Sequence, residues 1–179
     1  MRYRLLGRSG LRVSELCLGT MTFGDAWGWG ADKDASRAQY EAYREAGGNF
    51  IDTANFYTGG QSESILGELM QGHREQVVLA TKFTLFQRQG DPNSAGNGRK
   101  SMMDAVHDSL KRLKTDYIDL YWVHAWDQLA LDVAAREAVG DLQTDEARPA
   151  VQLGHGVCLR DFPGREVADA GVADLALAD

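Results

Sequence analysis

Short apolar runs alternate with longer amphipathic stretches along this chain, and that alternation constrains its fold more than any other feature. The runs are LCLGT (16–20), NFIDT (49–53), QVVLATK (76–82) and YIDLYWVH (117–124). Runs of this length read as strands, and LCLGT, apolar and ending in Gly, reads as a fully buried one. The stretches between them have helical period. Asp34-Ala-Ser opens a helix that continues to about Ala46 and stops at Gly47-Gly48. SESILGELM (62–70) forms a second, stopped by Gly72. RKSMMDAVHDSLKRL (99–113) forms a third, with apolar residues at 102, 103, 106, 110 and 113 on one stripe. Strand and helix in succession predict βαβ units on a parallel sheet. Ahead of them, residues 2–7 and 11–15 alternate around Arg8-Ser9-Gly10, the pattern of a β-hairpin.

No GxGxxG follows any of these strands, so the dinucleotide fingerprint of the doubly wound fold is missing and a barrel is favoured. In a (β/α)₈ barrel the catalytic groups stand where the strand C-termini converge. Here those ends carry Gly19-Thr20-Met21, Asp52, Lys82 and His124, and Tyr57 lies five residues past Asp52. Each has an ordinary use when taken singly: a strand-end Asp caps a turn, a Tyr half-buries its ring, a His satisfies a core. A Lys inside an apolar strand is less ordinary, because it needs a partner. Together they make a proton-transfer site. An ammonium beside a phenol favours the phenolate, a carboxylate neutralises and orients the ammonium, and an imidazole can hold a carbonyl oxygen.

Composition narrows the partners. A net charge of −7 argues against a nucleic-acid surface or anionic lipid. The small basic cluster Lys111, Arg112 and Lys114 is offset by Asp108 and Asp116 and reads as a solvated helix face. The two cysteines, Cys17 and Cys158, are far apart, which suggests neither a disulfide framework nor a zinc site. The opening MRYRLLGRSG lacks the apolar core of a signal peptide, so a soluble cytoplasmic protein is expected. His73 and His107 fall on or beside helices and read as surface residues, while Met102 and Met103 read as packing.

Several linked motifs then stand in one order: the hairpin with LCLGTMTFG, GGNFIDTANFYTGGQSESILGEL, VVLATKF, and RLKTDYIDLYWVHAWD. Through residues 1–127 the chain resembles the aldo-keto reductase family, nearest to members acting on aryl or small aldehydes. The resemblance implies an α/β fold, a partial (β/α)₈ TIM barrel of an N-terminal hairpin plus four to five βα units. It implies NADPH-dependent reduction of aldehydes and ketones, with Tyr57 as general acid, Lys82 beside it, Asp52 paired to Lys82, and His124 positioning the carbonyl. Gly19, Thr20, Met21 and Asp52 match positions lining the nicotinamide, and Trp27 and Trp29 match substrate-pocket aromatics. The expected partner is a small carbonyl substrate, with neither nucleic acid nor membrane.

A complete barrel needs ~250 residues, so a chain of 179 is expected to be an N-terminal portion. Two sheet edges would then stay open, which invites a homo-oligomer. An inactive fragment serving as a partner-binding module is the alternative to an enzyme. Residues 128–179 contain no Ser, Asn, Ile, Met, Lys, Tyr or Trp. They read either as an eroded fifth βα unit or as a shifted reading frame. In the first case residues 129–142 and 165–177 would be helices and 151–159 a strand, with His155 lacking an evident partner.

Overall fold

The computed structural model describes residues 1–125 and 127. The readings offered for residues 128–179 lie outside that range. Two strands open the chain, β1 (Tyr3–Leu5) and β2 (Arg12–Ser14), paired antiparallel as the predicted hairpin. Then follow β3 (Leu18–Gly19), α1 (Lys33–Glu45), β4 (Phe50–Asp52), α2 (Gln61–Leu69), β5 (Val78–Phe83), α3 (Arg99–Leu113) and β6 (Leu120–Val123).

The last four strands form one parallel sheet in the order β3-β4-β5-β6. Each new strand lies beside its predecessor, and the order never reverses. That is how a (β/α) barrel grows, whereas a doubly wound sheet reverses at a switch point. The fold is therefore part of a (β/α)₈ barrel, as the strand and helix pattern predicts.

Alternation along the strands sorts side chains to two faces. On the helix side Ile51, Leu79, Phe83 and Tyr121 join Leu66, Met102, Val106 and Leu113 in the main core. On the other side Val78, Ala80 and Leu120 pack with Val13 of the hairpin, which closes the end of the sheet beneath the strands. That concave face is left open at its far end, where the strand C-termini lie.

Some local readings need correction. β3 spans only Leu18–Gly19 and is not fully buried: Leu18 is half-buried, and Leu16, Cys17 and Gly19 are exposed. Among the described residues β3 pairs with β4 alone, so its other side faces no strand. Helix α1 starts before Asp34, because the Asp32 carboxylate accepts from the Ala35 amide at 2.8 Å and caps it. β6 begins at Leu120 rather than Tyr117, because Asp119 turns inward to accept from the Leu79 amide and from Arg74. His73 is no free surface group, since its Nε2 lies 2.7 Å from the Tyr40 hydroxyl. His107 is exposed, and Met102 and Met103 pack as expected. Among the described residues no helix is long and apolar enough to cross a membrane.

The basic cluster is the largest misreading. Lys111 does pair with Asp108 at the surface, but Arg112 reaches across to Glu63 on α2, whose side chain is 0% exposed. The two helices approach closely because α2 carries Gly67 at their crossing. A Cβ there would lie 2.4 Å from the Arg112 carbonyl oxygen and 2.7 Å from the Leu113 carbonyl carbon. Backbone cannot yield as a side chain can, so Gly67→Ala is expected to cost about 1–3 kcal/mol through overpacking. Urea unfolding would measure it, and an unchanged midpoint would mean that the helices separate freely.

Candidate active site

The site residues come from four different elements. Asp52 is the last residue of β4, Lys82 the fifth of β5, and His124 directly follows β6. Tyr57 heads a 3-10 turn, Tyr57–Gly60, that leads straight into α2. In that turn Thr58, Gly59 and Gly60 all have positive φ, at 49°, 64° and 91°. Thr58 tolerates the left-handed region because its buried hydroxyl donates to the Phe23 carbonyl at 2.5 Å and accepts from the Ser62 amide at 3.1 Å. The chain so folded turns sharply just after Tyr57, and the phenol comes to lie beside Lys82.

Lys82 is the hub. Its Nζ donates to Asp52 Oδ2 at 2.6 Å, to the Thr53 carbonyl at 2.8 Å and to the Tyr57 hydroxyl oxygen at 3.0 Å. An ammonium has three N–H donors, and all three are engaged. The phenol oxygen is therefore an acceptor toward Lys82, and its own proton is directed elsewhere. The His124 ring stands edge-on to the Tyr57 ring, centroids 5.6 Å apart and planes at 86°.

Charges in the site act on its neighbours. Burial first, then the Lys82 cation, holds His124 below its ordinary 6.5, with Asp52 opposing. His124 is thus neutral at neutral pH. A depressed value means that the unfolded chain takes up this proton first. The contribution to stability is complete above 6.5 and is lost as the pH falls through the lower native value. An NMR titration of the His124 ring should give a midpoint under 6.5 that rises in Lys82→Met; an unmoved midpoint would show that the cation is not felt there. Cys17 is an exposed residue, yet its thiol shares this face, and burial followed by the Asp52 charge pushes it up to about 12, Lys82 opposing. It is a poor nucleophile at neutral pH.

Asp52, Lys82, His124, Gly19, Cys17, Phe50, Trp122 and Val123 line one open hollow of about 530 Å³. A second hollow, of about 610 Å³, lies near Gly72, Arg74 and Tyr117, away from these groups. Of the other sequence-expected residues, Tyr57 does not line the hollow, and neither does Thr20. Thr20 is fully buried, and its hydroxyl bonds the Asp52 carbonyl at 3.0 Å and meets Ser62 at 2.9 Å. Met21 is 46% exposed and is not among the lining residues either. Trp27 and Trp29 pack together at 5.4 Å, and Trp27 continues to Phe56 at 5.9 Å and on to Phe86 at 5.3 Å.

Sequence reasoning did not single out Phe56 or Phe86. Phe56 precedes Tyr57 and could have been found by that adjacency. Phe86 lies in a loop with no periodicity to mark it. Thr53 was missed because it contributes a backbone carbonyl, which no side-chain pattern reveals.

The hollow fits the redox end of a nicotinamide. A Cβ on Gly19 would meet nothing within 4 Å, so a flat ring has room over that strand end, within reach of the Asp52 and Lys82 side of the hollow.

Comparison with known proteins adds a family context. The family model described as Aldo/keto reductase family matches residues 15–144. An aryl-alcohol dehydrogenase from Pestalotiopsis microspora is 44% identical over 70% of this chain and 35% of its own length. An aryl-alcohol dehydrogenase from Phanerodontia chrysosporium, designated NADP(+), is 46% identical over 66% of this chain and 34% of its own. AAD6 of Saccharomyces cerevisiae, named for the same activity, is 40% identical over 91% of this chain and 80% of its own. Among solved structures, the holo form of aldo-keto reductase AKR11C1 from Bacillus halodurans superposes with a TM-score of 0.72 at 33% identity, covering 86% of this chain and 50% of that one. The chain thus spans about a third of the first two relatives and half of the solved structure.

Proposed function

Because the chain belongs to the aldo/keto reductase family, we propose that its described residues form the proton-donating site of an NADPH-dependent reductase of aldehydes and ketones. The observation that carries this reading is the saturated Lys82 ammonium. With all three donors committed, one of them to the phenol oxygen, Lys82 leaves the Tyr57 proton free for an acceptor other than itself.

When a carbonyl oxygen meets Tyr57, the phenol donates its proton as charge develops on that oxygen. The positive charge 3.0 Å away stabilises the phenolate left behind. Asp52 keeps Lys82 in place and neutralises it. His124, held neutral, is the neighbouring group that can orient the same oxygen by hydrogen bond. Gly19, Asp52 and Lys82 line the hollow that would hold a nicotinamide cofactor, which when bound would supply the hydride to the carbonyl carbon while Tyr57 gives its proton to the oxygen. The aromatic line from Trp29 through Trp27 and Phe56 to Phe86 leads to the residue next to Tyr57 and favours flat aryl aldehydes as substrates. The NADP(+) designation of one relative supports NADPH over NADH.

The test is a titration of the purified chain with NADPH, read by quenching of its Trp fluorescence, followed by NADPH oxidation with an aromatic aldehyde. Trp122 lines the hollow and should report binding. Saturable quenching that weakens in Asp52→Asn, with aldehyde-dependent oxidation, is the expected result. A folded chain that shows neither at millimolar cofactor would refute the proposal.

A further inference from the structure

Thr84 has a backbone that its side chain disfavours. Its φ is 107°, a region open to Gly and strained for a β-branched residue. Thr84 is only 7% exposed, so the strain is not relieved by mobility at a surface. What the residue offers in return is its hydroxyl. Oγ1 donates to Asn97 Oδ1 at 2.6 Å and accepts from the backbone amide of His124 at 3.2 Å, an amide that also reaches the Phe83 carbonyl at 3.0 Å.

Asn97 completes the connection from the other side. Its side-chain amide donates to the Ala125 carbonyl at 3.1 Å, and its backbone amide donates to Asp127 Oδ2 at 2.9 Å. One residue earlier, the Gly96 amide donates to the Thr84 carbonyl at 2.8 Å. A Cβ on Gly96 would lie 2.7 Å from Asp127 Oδ2, so the two segments are in close contact. The loop that follows β5 and the chain that follows β6 are thereby tied to each other at the His124 amide and at the residues just after it. Nothing else among the described hydrogen bonds joins these two segments so directly.

We propose that Thr84 and Asn97 are positioning residues, a clasp that fixes the backbone at His124 so that its imidazole stays edge-on to the Tyr57 phenol. Neither touches the hollow itself. Their effect on the reaction passes through His124, and in this the inference rests on the carbonyl-reducing site proposed above.

Three variants of the full chain test it: Thr84→Gly, Thr84→Ser and Asn97→Ala. Glycine removes the strain together with the hydroxyl, and serine keeps the hydroxyl at the same backbone position. Asn97→Ala breaks the clasp from its other end without touching the strained residue. The first readout is the NMR cross-peak between the ring protons of His124 and Tyr57. The second is the split between kcat and KM for an aromatic aldehyde.

Thr84→Gly and Asn97→Ala should lose the cross-peak and lower kcat roughly ten- to a hundredfold, as expected for a misplaced catalytic group. Thr84→Ser should restore both, and KM for NADPH should not follow kcat. A purely structural Thr84 would let glycine, free of strain, perform at least as well as serine. That result, or an undiminished cross-peak in both Thr84→Gly and Asn97→Ala, overturns the proposal. Should the wild-type chain show the cross-peak but no turnover, the proposed function fails, and the cross-peak arm still decides the clasp.

Discussion

Tyr57→Phe is expected to lower aldehyde reduction by roughly a hundred- to ten-thousandfold, the usual contribution of a positioned general acid. The substitution deletes one oxygen and little else. The ring that packs edge-on against His124 at 5.6 Å remains, so the imidazole keeps its neighbour. Lys82 loses one of three hydrogen bonds but retains Asp52 at 2.6 Å and the Thr53 carbonyl at 2.8 Å, which hold its ammonium in place. Binding of NADPH should therefore be nearly unchanged while kcat collapses. Steady-state kinetics beside a fluorescence titration would separate the two. A Phe variant with kcat close to that of the parent would remove Tyr57 from the reaction.

The second large effect is on stability. Arg112→Met is expected to destabilise the fold by about 3–5 kcal/mol, because it strands a buried carboxylate. Glu63 is 0% exposed and accepts two hydrogen bonds, from Thr81 Oγ1 at 2.5 Å and from Arg112 Nε at 2.7 Å. Arg112 supplies its countercharge, with a side chain only 27% exposed, so solvent screens the pair weakly. The Tyr121 hydroxyl stands buried nearby, pushed well up by burial and then by the Glu63 charge, and it has no hydrogen-bond partner among the described residues. Being neutral, it cannot supply the countercharge of the lost guanidinium.

A loss of this size is a large part of the stability of a domain, typically 5–15 kcal/mol in all. Urea denaturation of Arg112→Met, Glu63→Leu and the double variant would form a thermodynamic cycle. The double variant should recover much of the loss, since replacing both charges by apolar groups is often neutral. A single-variant loss under about 1 kcal/mol would mean that water reaches Glu63, as at an exposed ion pair.

The helix 99–113 is the element the sequence defines most sharply. Its apolar stripe and glycine-rich approach match the observed Arg99–Leu113 at both ends. The strands were legible as apolar runs, but their ends were not. β3 shrank to Leu18–Gly19 and β6 began three residues late. A strand's length is set by the partner beside it, and a run of apolar letters carries no record of that partner.

The site divides in the same way. The sequence alone determined the strand and helix order, the apolar stripe of the helix 99–113 and the family resemblance, and through that resemblance it named Tyr57, Lys82, Asp52 and His124 as candidates. These are local properties, written in spacing of a few residues. The tertiary structure decided that Arg112 pairs with Glu63 rather than with solvent, that Thr20 is buried under Asp52, and that Lys82 spends all three donors. It also decided that Thr84 holds a strained backbone beside His124. Those contacts join residues 25 to 49 positions apart. Periodicity tells which face a side chain takes. What stands opposite that face is settled only when the parallel strands are laid side by side and the helices close over them.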